Sequence, residues 1–314
     1  MSTARPPAVA GMFYPAEPRQ LAHEVQQLLA EARPYELVNP LPNPAPRPTA
    51  GFAQPADSGG GKHASRNPAY VPQAGEGANE SLCEFQIKAL IAPHAGYIYS
   101  GAVAAAAYAK LIPVAARIRR VVLLGPTHRV AVRGLALPGV DALDTPLGRI
   151  ELDTDAARAI ADLPQVTVSP QAHALEHSLE VHLPFLQSVL PDFKLLPLAV
   201  GMATAEEVAE VLEAVWGGDE TLIVISSDLS HFLPYVAAQK VDHATVQSIL
   251  QLRQPIDHEQ ACGATPINGL IVAARKHHLA PHLLDLRNSG DTAGSHDRVV
   301  GYASIAFTEG VSHD

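Results

Sequence analysis

Three strand-like apolar runs, each followed at once by a polar loop that carries a histidine, constrain this chain more than any other feature. The runs lie at residues 88–91, 119–124 and 221–225. The loops after them carry His94, His128 and His231. One such histidine is usually structural, but parallel neighbouring strands end at the same edge of a sheet, where open α/β folds bind ligands. The pattern therefore predicts that these three histidines share one site.

The rest of the chain alternates between helix-like and strand-like segments joined by short connections. Helical patterns occupy residues 18–32, 102–111, 154–163, 204–216, 235–252 and 265–276. Ser100 and Thr154 are the predicted N-caps of the second and third of these helices. Pro184 interrupts a further apolar stripe at 179–190, which predicts that a regular helix begins there after a separate turn. More strands are predicted near 132–137, 166–168, 193–200, 282–288 and 299–307, the last two pairing as a hairpin. The alternation predicts an α/β fold with a central, mostly parallel sheet and helices on both faces.

Residues 40–81 differ in composition from the sequence on either side of them. The stretch is dense in Pro, Gly, Ala and Ser, and Gly59, Gly60 and Gly61 lie in its middle. Such a stretch cannot bury enough apolar surface to offset its own chain entropy. We therefore predict a single domain over 1–314 with a disordered insertion at 40–81, since the one helix before it is too little for a separate domain.

Composition and charge exclude several classes of function. The 314 residues carry a formal net charge of −10 without a basic run, which argues against nucleic acid and anionic membrane surfaces as partners. No apolar stretch is long enough to span a bilayer, and the first residues lack the apolar core of a signal peptide. The two cysteines, Cys83 and Cys262, are too few for a disulfide framework. We therefore expect a reduced, cytoplasmic, globular protein.

Histidines and an acid near the strand ends are the first candidates for chemistry. His94, His128 and His231 with Asp228 supply the imidazoles and the anion of a facial non-haem iron(II) site, and histidine-rich sites also hold zinc or copper. The anion is Asp228 or a carboxylate from elsewhere in the chain. Cys262 has two interpretations. It precedes a predicted helix, whose N-terminus would lower the pKa of a thiol, but it also fits an ordinary small buried residue.

A second group of acidic and basic residues lies at 176–182. His177 and His182 are five residues apart, whereas the zincin motif needs four, so we exclude a zincin site. Two interpretations stay open for Glu176 and its neighbours, a solvated helix start or a functional group of acid and base. No G-x-S-x-G elbow, phosphate loop or dinucleotide fingerprint is present. The other histidines considered are expected to be structural or at the surface: His173, His243, His258, His277, His278 and His282.

Several motifs together carry a resemblance to a known family. They are the residues from Arg5 to Pro15, Ala92-Pro93-His94-Ala95-Gly96-Tyr97, Gly125-Pro126-Thr127-His128, Glu176-His177-Ser178-Leu179-Glu180-Val181, Ser226 to His231, Cys262-Gly263 and Val299 to Ala303. With these motifs in this order, the chain resembles the MEMO family, whose prokaryotic members are called AmmeMemoRadiSam system protein B. The resemblance covers nearly the whole chain except the insertion.

The resemblance implies a fold similar to that of class III extradiol dioxygenases, which cleave catechols with non-haem iron. It implies that His94 and His128 are metal ligands, and that Cys262 stands where the dioxygenases have a ligand glutamate. It also gives His231 the role of the acid/base histidine, with Asp228 beside it. The resemblance makes iron(II) the expected cofactor. Because a thiolate is a softer ligand than glutamate, copper and zinc are alternatives.

Two functions are compatible with these residues and with the resemblance, and a metal-independent hydrolase is a third alternative. The first is a metal-dependent oxidoreductase, or a redox protein, that acts on an unidentified small molecule. The second is a non-catalytic binding or adaptor protein that keeps the fold and a vestigial dioxygenase-type site. The name of the system further implies a radical SAM protein and an AMMECR1-like protein as partners.

Overall fold

A computed structural model of the protein describes residues 3–32 and 86–309. The predicted insertion at 40–81 and Cys83 lie outside these ranges, and both described ranges belong to one compact unit. No helix within the described ranges is long and apolar enough to cross a membrane.

Strands and helices alternate along most of the described chain. The strands are β1 (Ala4–Arg5), β2 (Ile87–Ala92), β3 (Arg120–Pro126), β4 (Leu135–Leu137), β5 (Ala142–Thr145), β6 (Gly148–Glu151), β7 (Val166–Val168), β8 (Lys194–Val200), β9 (Thr221–Ser226), β10 (His231–Leu233), β11 (Ala280–Asn288) and β12 (Val299–Thr308). The α-helices are α1 (Pro18–Glu31), α2 (Tyr97–Tyr108), α3 (Thr154–Ile160), α4 (Pro170–Ala174), α5 (Leu183–Val189), α6 (Ala205–Ala214), α7 (Tyr235–Leu250) and α8 (Ala264–Lys276). Short 3₁₀ helices cover Ala109–Val114, Glu180–His182 and Ser289–Asp291.

The three apolar runs that precede His94, His128 and His231 form neighbouring parallel strands at the centre of a sheet to which the described residues contribute nine strands. Strands β2, β9, β3 and β8 lie side by side in that order and run parallel. Strand β12 pairs antiparallel with β2 on one side, and β4 pairs antiparallel with β8 on the other. The sheet is therefore parallel at its centre and mixed as a whole. The predicted antiparallel pairing of the last two strands, β11 and β12, is confirmed.

Each central strand buries side chains on both faces of the sheet, as the uninterrupted apolar runs predict. In β2, Leu90 and Ala92 pack into the core formed with helices α1, α2 and α5. Ala89 and Ile91 pack into the opposite core, formed with helices α3, α6, α7 and α8. All four side chains are at most 1% exposed. The predicted α/β fold with helices on both faces is therefore confirmed.

Helix α2 begins earlier than the sequence predicts. It begins at Tyr97, and Ser100, the predicted N-cap, lies inside it with its Oγ donating to the carbonyl oxygen of Ala95. The Tyr97 N–H donates to the carbonyl oxygen of Phe13 at 2.8 Å. The N-terminal segment thus satisfies an N–H at the start of the helix, which a serine cap would otherwise serve.

Other local predictions have mixed outcomes. Pro184 lies in the first turn of α5, after a separate 3₁₀ turn, as predicted. Thr204 caps α6 through a capping box with Glu207. The N-cap of α3 is Asp153 and not Thr154. The sequence did not predict the small second sheet, in which β5 pairs with both β1 and β6 and so joins the N-terminal segment to the body of the fold.

The loops after the central strands lie at one edge of the sheet. His94 follows the end of β2 by two residues, His128 follows the end of β3 by two, and Asp228 follows the end of β9 by two. Because these strands are parallel neighbours, their carboxyl ends place the three side chains at the same edge. This is the position at which open α/β sheets bind ligands.

Candidate metal site

His94 is buried, and one of its ring nitrogens has a fixed role. Its Nδ1 lies 2.6 Å from the Oγ of Ser226, and that hydroxyl donates its own proton to the carbonyl oxygen of Ser178 at 2.6 Å. The Ser226 oxygen must therefore accept a proton from Nδ1, which leaves the lone pair of His94 on Nε2. Burial lowers the pKa of His94 well below its usual value, and the neighbouring His128 and His177 lower it further. A neutral imidazole of this tautomer is the form that binds a metal ion.

His128 is held in the same tautomer by a carboxylate. Its Nδ1 lies 2.9 Å from Oε1 of Glu176, and its backbone N–H donates to Oε2 at 2.6 Å. An ionised carboxylate only accepts hydrogen bonds, so Nδ1 donates and Nε2 keeps its lone pair. A carboxylate behind a histidine is the arrangement that orients ligating imidazoles in metal proteins.

His177 completes a cluster of three imidazoles that the sequence did not predict. One ligand nitrogen from each of His94, His128 and His177 can be chosen so that all three lie within 4.8 Å of one another. The ring centroids are 5.2 Å apart for His94 and His128, and 4.6 Å apart for His128 and His177. The ring of Phe13 packs against His177 with centroids 4.7 Å apart. These three histidines form a site that could bind a metal ion.

Glu176 lies at the centre of the hydrogen bonds behind this cluster. It is 2% exposed, and its carboxylate accepts from the backbone N–H groups of His128, His177 and Ser178 as well as from the His128 ring. Burial pushes its pKa upward, but the hydrogen bonds from His128, His177 and Ser178 outweigh burial and hold the pKa well below its usual range. The interpretation of Glu176 as part of a solvated helix start is therefore wrong, because the residue lies buried and outside any helix.

Cys262 contacts the ligand nitrogen of His94. Its Sγ lies 3.4 Å from Nε2 of His94 and accepts the backbone N–H of Asp228 at 3.3 Å. Burial, and then the charge of Asp228, raise the pKa of the thiol to about 12. The expectation that the helix N-terminus lowers this pKa is wrong for the metal-free protein, although α8 does begin at Ala264 as the sequence predicts. A bound metal ion would compete with the proton for the sulfur.

Asp228 joins the loops after β2 and β9. Its Oδ1 accepts the backbone N–H of His94 at 2.8 Å, and its Oδ2 lies 4.0 Å from the Nε2 of the same residue. The side chain is buried, and burial raises the pKa of its carboxyl group. Asp228 therefore fixes the backbone of His94 and places an anionic oxygen near the ligand nitrogen.

A cleft of about 980 Å³ opens beside the cluster. His128, His231 and Cys262 line it together with residues of α7 and the 258–260 loop. The structure thus brings His94, Asp228 and Cys262 into contact, sets His128 beside His94, and places His231 on the wall of the same cleft. His177 and Glu176 are site residues that the sequence did not predict to be metal ligands or partners of the ligands. The adjacent acid and base in 176–182 were the available signal for both.

Comparison with known proteins shows the family. A family profile described as "Memo-like protein" matches residues 72–306. The chain is 31% identical to a MEMO1 family protein of Aquifex aeolicus over 316 residues, covering 96% of this chain and 98% of that protein. It is 32% identical to a MEMO1 family protein of Methanopyrus kandleri over 321 residues (98% and 99%), and 37% identical to one of Methanococcoides burtonii over 240 residues (72% and 88%). The chain belongs to the MEMO family.

One solved structure is also similar. The crystal structure of an uncharacterized protein from Escherichia coli K12 aligns with 70% of this chain and 99% of its own, at 16% identity and a TM-score of 0.45.

Proposed function

We propose that the protein is a metal-dependent oxidoreductase, or a redox protein, whose metal is held by His94, His128 and Cys262. The observation that carries the proposal is the donor set itself. Two imidazoles use Nδ1 in hydrogen bonds and keep Nε2 for a ligand, and a thiol lies 3.4 Å from one of these Nε2 atoms. His177 is a further candidate ligand, since it lies in the same cluster. Imidazole and thiolate donors fit a first-row transition metal.

Iron(II) is the metal we propose, with copper or zinc as alternatives. Two imidazoles and one anionic donor are the set used by non-haem iron(II) oxygenases, and thiolate also suits copper and zinc. Asp228 is a second anionic candidate because its Oδ2 lies 4.0 Å from Nε2 of His94. When bound, the metal would supply Lewis-acid or redox chemistry beside the cleft.

The cleft supports a small organic molecule as the substrate class. Leu233, Val241 and Ala244 offer apolar surface on its wall, and His231 lies on the same wall near Cys262 and His128. Because imidazole exchanges protons near neutral pH, we assign His231 the transfer of a proton to or from the substrate at a ring nitrogen. We assign Asp228 the role of holding His94 in place, because its carboxylate accepts the hydrogen bond from the backbone N–H of His94.

A cellular location and two partner proteins are proposed as well. We propose a cytoplasmic protein that works with a radical SAM protein and an AMMECR1-like protein, as membership of the MEMO family suggests. The formal charge of −10 supports neither nucleic acid nor an anionic membrane as a partner.

A second candidate function is a non-catalytic adaptor with a vestigial dioxygenase-type site. The observation that favours it is the cysteine at the position where the resemblance places the ligand glutamate of the dioxygenases, with its Sγ 3.4 Å from Nε2 of His94 and burial raising the pKa of its thiol. An adaptor would use the cleft for binding alone. The metal content of the purified protein distinguishes the oxidoreductase or redox protein from the adaptor.

We expect purified protein to bind one equivalent of iron(II) under anaerobic loading, measured by elemental analysis and calorimetry. His94→Ala and Cys262→Ser each remove a proposed donor, so each should weaken binding by at least tenfold. His231→Ala should leave the affinity within about threefold, because its proposed role is proton transfer. His243→Ala, which changes an exposed histidine of α7, is the matched control.

Two results would contradict this proposal. If no metal binds at any loading and the ring signals of His94 do not shift, the adaptor is favoured. If His231→Ala removes the metal while Cys262→Ser retains it, the roles of the two residues are reversed.

A further inference from the structure

One short segment of the chain, residues 176–178, contacts the whole histidine cluster. His177 is part of it. The carboxylate of its first residue accepts from Nδ1 of His128 at 2.9 Å. The carbonyl oxygen of its last residue accepts from Ser226, whose hydroxyl accepts in turn from Nδ1 of His94. The orientation of all three rings therefore depends on where the backbone of this segment lies.

Arg5 holds that segment in place from outside the site. Its Nε donates to the carbonyl oxygen of His173 at 2.6 Å, and its Nη2 donates to the carbonyl oxygen of Glu176 at 2.8 Å. Its Nη1 lies 2.7 Å from Oε2 of Glu180. One guanidinium thus contacts the chain before, within and after the segment, and Arg5 is only 8% exposed.

Glu180, the buried partner of Arg5, is itself fully engaged by the N-terminal segment. Its carboxylate accepts the backbone N–H groups of Ala8 and Val9 and the hydroxyl of Tyr14 at 2.6 Å. Burying an ion pair costs so much desolvation free energy that such a pair adds little net stability. The planar fork of an arginine, however, fixes geometry. The ion pair between Arg5 and Glu180 is therefore better explained by the geometry that it fixes than by a contribution to the free energy of folding.

We infer that Arg5 is a positioning residue for the metal ligands, acting through residues 176–178. The inference rests on the proposed metal site and gives a role to the N-terminal motif that sequence reasoning left without one. It also explains why the N-terminal segment is joined to the body of the fold at several points, through β1 and β5, through Phe13 and Tyr97, and through Glu180.

The test is Arg5→Lys in the full chain. Lysine keeps the positive charge beside Glu180, but a single ammonium cannot reproduce the fork that reaches two carbonyl oxygens and a carboxylate. We expect its dissociation constant for zinc, used as a redox-inert probe and measured by chelator competition, to rise about tenfold. This follows the loss seen when groups behind metal ligands are changed. Nitrogen-15 NMR of the metal-free protein should show that the Nδ1–H tautomers of His94 and His128 in the wild type become mixed.

A matched control separates positioning from stability. Val25→Ala removes apolar volume from α1 in the core that also contains Leu179, and it lies outside the contacts of Arg5. It should lower the free energy of unfolding with no change in zinc affinity or in the tautomers. If Arg5→Lys fails to fold, the double variant Arg5→Met with Glu180→Gln removes both buried charges and carries the same expectation.

The zinc affinity and the histidine tautomers of the variant decide whether Arg5 positions the metal ligands. Arg5→Lys with wild-type zinc affinity and wild-type tautomers would overturn it. If the wild type itself binds no metal, the proposed function fails. The tautomers of His94 and His128 in the metal-free variant then decide the positioning role by themselves.

Discussion

At the scale of single residues, the chemistry of Cys262 depends on its neighbours more than on its place before a helix. A helix N-terminus favours the thiolate, but burial and the charge of Asp228 raise the pKa of this thiol to about 12. Hydrogen bonds to the sulfur, the largest effect among them coming from the backbone N–H of Asp228, offset only part of that rise in the pKa. Local sequence shows the helix but not the burial, so the direction of the shift was not predictable from the motif.

Asp228→Asn tests both roles of this aspartate. Asparagine keeps an oxygen that can accept the His94 N–H, so an orienting residue would retain the metal, whereas a ligand would lose it as His94→Ala does. We expect retention within about threefold of the wild-type affinity. Removing the negative charge should also lower the pKa of Cys262 in the metal-free protein, measured as the pH dependence of thiolate absorbance.

The control for this variant is Asp242→Asn. Asp242 is also a buried aspartate that accepts a backbone N–H, from Ser230. It is not among the main causes of the shift in the pKa of Cys262. A fall in the thiol pKa of equal size in both variants would show that the Asp228 charge is not the cause.

Sequence reasoning found the residues whose position follows from the strand pattern. His94, His128 and Asp228 each follow a central strand by two residues, and parallel pairing places them at one edge. His177 and Glu176 lie in a stretch without regular secondary structure, where no periodicity indicates the direction of a side chain. Their place depends on tertiary hydrogen bonds, which a local pattern does not contain.

At the scale of elements, the start of α8 must pack tightly against the end of β9. A Cβ on Gly263 would lie 2.6 Å from the carbonyl oxygen of Ser226 and 2.6 Å from Cβ of Ser227. The Gly263 N–H also donates to Oγ of Ser227 at 2.9 Å. This close approach keeps Cys262 beside the strand end that carries Asp228.

Gly263→Ala should therefore force α8 and β9 apart. We expect the free energy of unfolding to fall by about 1–3 kcal/mol, the range for overpacked sites, as measured by urea denaturation. Metal affinity should fall as well, because Cys262 moves with the helix start. In the control Gly218→Ala, the new Cβ meets only the end of the flexible Glu220 side chain, so little change is expected. Wild-type stability in Gly263→Ala would contradict the tight contact.

Elements with a long apolar pattern were predictable, and short or context-dependent ones were not. The central strands and α1, predicted at 18–32 and observed at Pro18–Glu31, follow from periodicity. Strand β1 has two residues, too few to show a pattern, and the direction of β4 is set by its partner β8. Helix α2 begins at Tyr97 because a carbonyl oxygen from Phe13 lies there, a contact that is distant in sequence.

At the scale of the whole molecule, buried neutral histidines link stability to pH. His173 is 3% exposed, its Nε2 donates to the carbonyl oxygen of Ala136 at 2.7 Å, and burial lowers its pKa to about 4. His182 is also buried, and burial lowers its pKa to about 3. In the unfolded chain a histidine has a pKa of about 6.5. The unfolded state therefore binds more protons at mildly acidic pH, and stability falls as pH falls below about 6.5.

His173→Gln should reduce this pH dependence. With a folded pKa of about 4 and an unfolded pKa of about 6.5, His173 accounts for a loss of about 2 kcal/mol in the free energy of unfolding at pH 5 relative to high pH. Glutamine keeps an N–H donor for the carbonyl oxygen of Ala136 but does not titrate. Urea denaturation at pH 7 and pH 5 should therefore show a loss about 2 kcal/mol smaller in the variant than in the wild type. His243→Gln, at an exposed position, should behave like the wild type, and equal losses in all three proteins would show that His173 is not buried as a neutral group.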